Sequence, residues 1–449
     1  MHEDFFSTLR EIIKYGGSTF AALVVMSIYT MTDGFFIGNF VGTEALAAMA
    51  LIYPVIMIFI AFGTLFETGS SAVVSEKLGV HQKNLAEKIM RTNYVVAFIF
   101  GIIFAICGYI FVEQILNFIS NGHEQKITNL AINYLKISVW GMPFLLTVYL
   151  TGAFMRCIDK PFHVFYLIGS TSLLNVIFDA IFIILFGWGM NGAAYATVIA
   201  QIAGTLITIW YFRYSPQKLK TSSGIGELEY IWQEIKIGAG FGIAVAMMCF
   251  IEYFLNATLL WNDAADLLAA AAIGNIILSF MLMPLNGLDT GIQPLVSRLF
   301  AEKKERQYLR IMRYGCLLSM SLTIFLYILL MIFTGEVADF FITDNEPVTA
   351  EMVKFLRLLF MLQPCVGIYI WLSGIMAALE DEWRNVAISL TPLFVQIPLI
   401  WIFSKTLPIE YVALAYSIED LFEALLAVLL INSFFKQKKI SFKKIFTSR

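Results

Sequence analysis

Long apolar segments separated by short polar ones run through the whole chain. Stretches of about 18 or more mostly apolar residues are long enough to cross a bilayer as helices. They predict twelve spans, at 15–41, 44–68, 92–112, 131–155, 161–187, 191–213, 235–261, 266–290, 314–334, 355–379, 384–406 and 409–435. The ten-residue alternation that a membrane β-barrel needs does not occur in them, and Leu, Ile, Phe, Ala and Met dominate. The pattern therefore predicts an all-α polytopic membrane protein.

The composition excludes several classes of protein. Of 449 residues, 59% are hydrophobic and 14% are charged, whereas soluble domains have about 45–50% and about 25%. The net charge of −3, without a basic block along the core, leaves no electrostatic footprint for nucleic acid. The five cysteines are scattered without CxxC spacing, and the four histidines are not paired at metal-ligand spacing. We therefore expect neither a water-soluble globule nor a nucleic-acid partner nor a zinc site.

The positions of Lys and Arg predict the orientation of the spans. With a cytoplasmic N-terminus, 25 of the 30 basic residues fall on the cytoplasmic side. The exceptions are Lys126, Lys136, Lys354, Arg357 and Lys405. This asymmetry predicts a multi-pass protein of the plasma (inner) membrane with an even number of spans and both termini in the cytoplasm.

An internal repeat divides the chain into halves. Residues 67–75 (ETGSSAVVS) align with 289–297 (DTGIQPLVS) at an offset of 222 residues. The same offset relates ALAAMA at 45–50 to LLAAAA at 267–272, Gly152 to Gly374, and Asp159 to Asp381. Since six spans return the chain to its starting side, the repeat predicts two pseudo-symmetric six-helix lobes with the same topology and a substrate site between them.

The repeat and the composition together predict four parts. The N-terminal lobe covers 1–213, the C-terminal lobe covers 235–435, and a basic cytoplasmic tail covers 436–449. Residues 214–234 contain Pro, Ser and Gly, followed by apolar residues at helical spacing. We interpret this segment as a cytoplasmic linker with a helix on the membrane surface.

Acidic residues within the predicted spans are the candidates for function. Asp33, Asp179 and Glu252 lie about 12, 10 and 14 Å below the outer surface at 1.5 Å per residue, and Glu419 and Asp420 lie at a similar depth. A carboxylate in hydrocarbon costs several kcal/mol unless it is protonated, paired or hydrated. We therefore expect these groups to face a central cavity, although each could instead be satisfied by a neighbouring helix.

Two amides accompany these acids. Asn175 is one helical turn from Asp179, and Asn256 stands in the same relation to Glu252. Each amide could hold its carboxylate or coordinate a cation. No Arg or Lys is predicted within the membrane beside them, so the cavity is expected to attract cations rather than phosphates.

Prolines inside the predicted helices are candidate hinges. They are Pro54, Pro143, Pro284 and Pro364. Proline interrupts the hydrogen-bond ladder of a helix and permits bending. This suits alternating access, and a passive kink that only fits the packing is the alternative.

Several motifs resemble the multidrug and toxic compound extrusion (MATE) family. These are TDGFFIGNFVGTEALAA in the first span, MRCIDKP followed by LLNVIFDAIFIILFGWGMNGAAYATVIAQ, and GLDTGIQPLVS in the eighth. The resemblance implies a V-shaped pair of six-helix lobes that exports organic cations in exchange for H⁺ or Na⁺. It also matches Asp33 to the first-helix acid, Asn175 and Asp179 to the fifth-helix pair of the first-lobe cation site, and Glu252 to the seventh-helix acid of some branches.

The chain departs from the family pattern at two places. Its tenth span, GIYIWLSGIMAAL, lacks the acid of sodium-coupled members, and CIDKP replaces a more polar turn. The first departure, together with the desolvation of the carboxyl groups, favours H⁺ as the coupling ion. Sodium at Asp33, Asn175 and Asp179 is the alternative.

Three functions compete at this point. A cation-coupled multidrug exporter fits the buried acids. A lipid-linked sugar flippase would need a basic cavity for pyrophosphate, and the sequence predicts none. A membrane-embedded enzyme would need a His with a nucleophile, or paired catalytic acids at a water-accessible face, yet His163 stands alone near the cytoplasmic side. The sequence therefore favours an exporter that needs no cofactor and acts as a monomer, with the lipid bilayer and small cationic drug-like molecules as its partners.

Overall fold

The structure, a computed structural model, describes residues 8–41, 43–120, 125–214, 228–262, 264–336, 350–379 and 381–437. Within these ranges nearly every residue is helical, and each of the twelve predicted spans falls on helical segments. Eight helices of the described part are long and apolar enough to cross a membrane, and a pair bent by 47° between Trp383–Ser389 and Thr391–Thr406 brings the number to as many as nine. The chain is a polytopic all-α membrane protein, as the hydrophobic pattern predicts.

The chain forms two compact units, of which the first is Gly17–Gly238. Its helices are α1 (Ser18–Phe36), α2 (Thr43–Gly79), α3 (Lys83–Ser120), α4 (Gln125–Ser138), α5 (Met142–Cys157), α6 (Pro161–Asp179) and α7 (Gly189–Tyr214). The most extensive packing joins α1 to α6 and α2 to α5. Buried aliphatic residues such as Ile52, Leu116 and Leu135 form its core. The pairing of α1 with α6 matters for function because each helix carries a predicted site acid.

The second unit consists of Ala239–Arg449 together with Met1–Gly16. Its helices begin with α8 (Glu229–Trp261), which starts in the first unit, α9 (Ala265–Ala301), α10 (Glu305–Ile332), α11 (Ala350–Leu359) and α12 (Val366–Ala378). They end with α13 (Glu382–Ser389), α14 (Thr391–Phe394), α15 (Gln396–Thr406) and α16 (Leu414–Gln437). Helix α12 packs against α9, α10 and α16. Helix α12 is therefore the central helix of the second unit.

Both boundaries between the units fall inside helices. Residues 8–12 and the π-helical turn Ile13–Gly17 lead directly into α1, yet Ile12 and Tyr15 belong to the core of the second unit. In the same way, the first turns of α8 belong to the first unit. Gly16 lies against Leu288 in one unit, and Gly238 lies against the backbone of Leu65 in the other, so a β-carbon would collide at either glycine. Gly16 and Gly238 are 222 residues apart, so the repeat extends to the two boundaries between the units.

The sequence boundary at residue 234 does not coincide with a helix end. Helix α8 begins at Glu229 and continues unbroken to Trp261, so residues 229–234 are its first turns and not a separate surface helix. Glu234 is buried within the first unit, whereas Leu228 and Trp232 beside it are exposed. Residues 215–227 of the predicted linker, and 438–449 of the predicted tail, lie outside the described residues.

The candidate hinge prolines lie in different settings. Pro54 is inside α2, which stays continuous around it, and Pro284 is within the range of α9. Pro143 begins α5 directly after the 3₁₀ turn Val139–Gly141, and Pro364 lies in a 3₁₀ turn immediately before α12. Two of the four prolines thus mark points where the α-helical hydrogen bonding is interrupted. Their role as hinges stays a prediction.

Candidate functional site

The packing of α1 against α6 brings three predicted site residues together in the first unit. Asp33 projects from α1, and Asn175 and Asp179 lie one turn apart on α6. All three side chains are buried. The two carboxyl groups are close enough for the charge of Asp33 to act on Asp179. Asp33, Asn175 and Asp179 are called the first-unit site below.

Oxygen atoms in the first-unit site lack hydrogen-bond donors. Both carboxylate oxygens of Asp179, Oδ1 of Asp33 and Oδ1 of Asn175 are buried without a partner among the described residues. A buried acceptor without a donor costs about 1–3 kcal/mol. Four such oxygens in one place therefore favour a proton or a small cation that binds oxygen ligands.

Thr197 is a member of this site that the sequence did not indicate. The Asn175 Nδ2 atom donates a hydrogen bond of 3.3 Å to the Thr197 hydroxyl on α7. This bond turns the amide nitrogen towards α7, so the amide oxygen is the atom left without a partner. A threonine in an apolar helix is unremarkable by composition, so only the packing of α6 on α7 reveals this role.

The acids predicted in the second half of the chain also come together. Tyr416, on α16, is close enough to Glu252 and Glu419 for both charges to act on it. Glu419 is buried, and its Oε1 has no partner among the described residues. Asp420 is adjacent, and Asn256 is half-buried one turn beyond Glu252 on α8.

Glu423 and Tyr369 complete this second group. The Glu423 carboxyl is close enough to interact with Glu419, one turn earlier on α16, and with the Tyr369 hydroxyl on α12. The i, i+4 spacing of the two acids was the available sequence signal. In the part of the chain that the structure describes, no three His, Cys, Asp or Glu side chains are arranged to hold a metal ion.

Arg156 is a buried basic residue, but its partner is not one of the predicted site acids. This residue, predicted in a cytoplasmic loop, is 2% exposed and forms an ion pair with Glu67 on α2. Gly152, one turn earlier on α5, leaves space beside the Glu67 carboxylate. The pair explains how an arginine is tolerated in the interior.

The model of the family described as MatE matches residues 19–181 and 241–402. The chain belongs to the MatE family. The two matched segments follow the repeat, one in each half of the chain.

Two curated relatives have names that refer to multidrug export or multidrug resistance. The multidrug export protein MepA of Staphylococcus aureus (strain bovine RF122 / ET3-1) is 25% identical over 410 residues, which cover 90% of this chain and 89% of the relative. The probable multidrug resistance protein YoeA of Bacillus subtilis (strain 168) is 22% identical over 336 residues, 72% and 71% of the two chains.

Solved structures of MATE transporters share the fold. A MOP superfamily transporter from Pyrococcus furiosus matches with a TM-score of 0.90 at 18% identity over 97% of both chains. A multidrug resistance MATE family transporter in an outward-facing conformation matches with a TM-score of 0.88 at 19% identity over 96% of both chains. At these identities the comparison shows the MATE fold.

Proposed function

We propose that this MatE protein is a multidrug efflux transporter that exports amphipathic organic cations in exchange for H⁺. Family membership supports transport rather than catalysis, and the names of MepA and YoeA support multidrug efflux. The buried, unpartnered oxygens of the first-unit site carry the proposal on coupling.

Exchange follows from competition for negative charge. A cationic drug and a coupling ion are both attracted by the carboxylates of Asp33 and Asp179. When the ion binds, it removes the charge that attracts the drug, and when it leaves, the charge returns. Uptake of one therefore releases the other without a cofactor.

Two observations bear on the identity of the ion. The carboxyl groups of Asp33 and Asp179 repel each other, and a single proton on either of them relieves that repulsion. Sodium is the alternative, because it needs several oxygen ligands and the first-unit site has four oxygens without donors. We propose H⁺, since proton binding requires no further ligands.

A lipid-linked sugar flippase is the second candidate. Such a protein would need buried basic residues to bind the pyrophosphate of its lipid-linked substrate. Arg156 is buried, but Glu67 already pairs with it. The proposal accordingly retains an exporter of cations. It places this protein as a functional monomer in the plasma membrane, with both termini in the cytoplasm as the basic residues indicate.

Transport by the purified protein in proteoliposomes tests the proposal, with a pH gradient and a Na⁺ gradient imposed separately. We expect the pH gradient alone to drive export of a cationic dye. Asp33→Asn and Asp179→Asn should each abolish export while the protein stays inserted and folded. Glu113→Gln, at an exposed acid on α3 that pairs with Lys136, is the matched control and should transport normally.

The ion assignment has its own contradicting result. If export continues undiminished when a protonophore collapses the pH gradient under an inward Na⁺ gradient, the coupling ion is Na⁺. Equal transport by both Asn variants and the unmodified protein, at matched reconstitution, would rule out the first-unit site as the coupling site.

A further inference from the structure

The repeat places an acid at the same position of both units. Glu67 on α2 and Asp289 on α9 are 222 residues apart. In the first unit, the buried guanidinium of Arg156 pairs with Glu67 and cancels its charge. The acid at this position of the first unit therefore has a counter-ion.

The second unit has no such counter-charge. The offset that relates Glu67 to Asp289 relates Arg156 to Ala378. Asp289 is 4% exposed, and no basic side chain among the described residues pairs with it. Helices α9 and α12 pack closely beside Ala378, as a hydrogen bond of 2.9 Å from the Ser297 hydroxyl to the Ala378 carbonyl shows. The Asp289 carboxylate consequently lies in a closely packed interior without a cation.

A small cavity lies beside this carboxylate. It has a volume of about 10 Å³, and Asp289, Gln293, Trp371, Gly374 and Ala378 are among its lining residues. This volume is at the lower limit for holding one water molecule. Gln293 is 4% exposed, and its Nε2 atom has no hydrogen-bond partner among the described residues. A water molecule here can accept a hydrogen bond from Gln293 and donate one to Asp289.

We propose that Asp289 is a proton-binding site of the second unit, loaded through this cavity. A buried carboxylate without a counter-ion is neutralised by a proton or by a recruited cation. Gln293 from α9 is the other side chain with an oxygen atom among the described lining residues, and α12 contributes no titratable group to the cavity. Two ligating side chains are too few for Na⁺, whereas a proton needs only the carboxylate itself.

The consequence is a difference in charge between the repeats. A proton from bulk water adds to the Asp289 carboxylate to give a neutral carboxylic acid, and its release restores the negative charge. At the equivalent position of the first unit, Glu67 has Arg156 as its counter-ion. This inference goes beyond the proposed function, because Asp289 is separate from the first-unit site and the argument holds whichever ion binds there.

Infrared difference spectra of the purified full-length protein between acidic and alkaline pH test this assignment. The carbonyl stretch of a protonated carboxylic acid is observed directly, independently of transport. We expect Asp289→Asn to remove one component of that band. Ala378→Arg, which supplies the counter-charge of the first unit, should remove the same component by keeping Asp289 ionised. Asp33→Asn is a control that should leave this component in place, and thermal unfolding verifies that each variant is folded.

Two results would overturn the assignment. One is a pH-difference spectrum of Asp289→Asn that superimposes on that of the unmodified protein. The other is a spectral change that Na⁺ induces at constant pH and that Asp289→Asn abolishes, which makes Na⁺ the occupant. If the Asn variant does not fold, Asp289→Glu keeps the acid and should shift the band, and an unshifted band contradicts the proposal.

Discussion

Asn93 on α3 donates a hydrogen bond of 2.9 Å to Glu234 on α8, which lies 141 residues further along the chain. Ser70 on α2 completes the group, since its hydroxyl donates to the other carboxylate oxygen at 3.1 Å and accepts from Asn93 at 3.0 Å. All three side chains are buried. These bonds attach the first turns of α8 to the first unit.

Loss of the Glu234 carboxylate should destabilise the protein. Glu234→Ala leaves the Ser70 hydroxyl and one N–H of the Asn93 amide without an acceptor, at a cost of about 1–3 kcal/mol. Glu234→Gln keeps one acceptor and should cost less. Thermal unfolding in detergent measures both. Glu229→Ala, at the exposed start of the same helix, should stay within about 0.5 kcal/mol, and an equal loss there would contradict the role of these bonds.

The two repeat glycines should respond differently to alanine. A β-carbon at Gly152 has its nearest neighbour at 3.5 Å, so Gly152→Ala should be neutral or stabilise α5 by up to about 1 kcal/mol. A β-carbon at Gly374 would overlap the Asp289 carboxylate, so Gly374→Ala should lower the unfolding temperature clearly. Equal effects of the two substitutions would mean that the carboxylate does not lie against α12.

The Glu67 and Arg156 pair should be costly to break from either side. Removing one partner of a buried ion pair leaves an uncompensated charge and costs about 3–5 kcal/mol. We therefore expect Arg156→Met and Glu67→Gln each to destabilise the protein strongly. The double variant should be more stable than the sum of the single losses predicts. Strict additivity of the unfolding free energies would show that the two side chains do not interact.

Thr197 should affect transport through the position of Asn175. Thr197→Ala removes the hydroxyl that accepts from Nδ2 of Asn175 and should raise the ion concentration needed for half-maximal export. Thr197→Ser keeps the hydroxyl and should restore it. The measurement is export against ion concentration for both variants, and an unchanged ion dependence in the Ala variant would leave Thr197 with a packing role only.

Glu252→Gln should reduce export of some cationic drugs more than others. The first-unit site would keep its coupling acids, while the second group would lose a charge beside Tyr416. Export assays with a panel of cations that differ in size and charge measure this selectivity. Export at unmodified rates for every drug in the panel would contradict a contribution of Glu252 to substrate binding.

The sequence predicted features that depend on pattern within a segment. Apolar runs predicted the helices, and the repeat indicated two halves. Asp33 and Asp179 stood out because a charge in hydrocarbon is costly wherever it lies. The structure adds that α1 packs against α6, which the sequence could not specify.

Features that depend on a partner elsewhere in the chain escaped prediction. Arg156 lies near a helix end, where a basic residue is usually hydrated, and only its contact with Glu67 shows that it is buried. Asp289 was visible in the repeat but became informative once Ala378 was seen to stand where the first unit has an arginine. Glu234 was placed in the linker because its partners, Ser70 and Asn93, are far away in sequence.

The positions of the unit boundaries also determine when each unit can be completed during synthesis. Residues 8–16 are synthesised before Gly17–Gly238, yet the core that surrounds Ile12 and Tyr15 is made from residues after 239. This segment therefore has no core to pack against while the whole of Gly17–Gly238 is translated and inserted. A gene divided within 215–227 would give two fragments that each carry the opening segment of the other unit, so neither fragment alone contains all the residues of a complete unit.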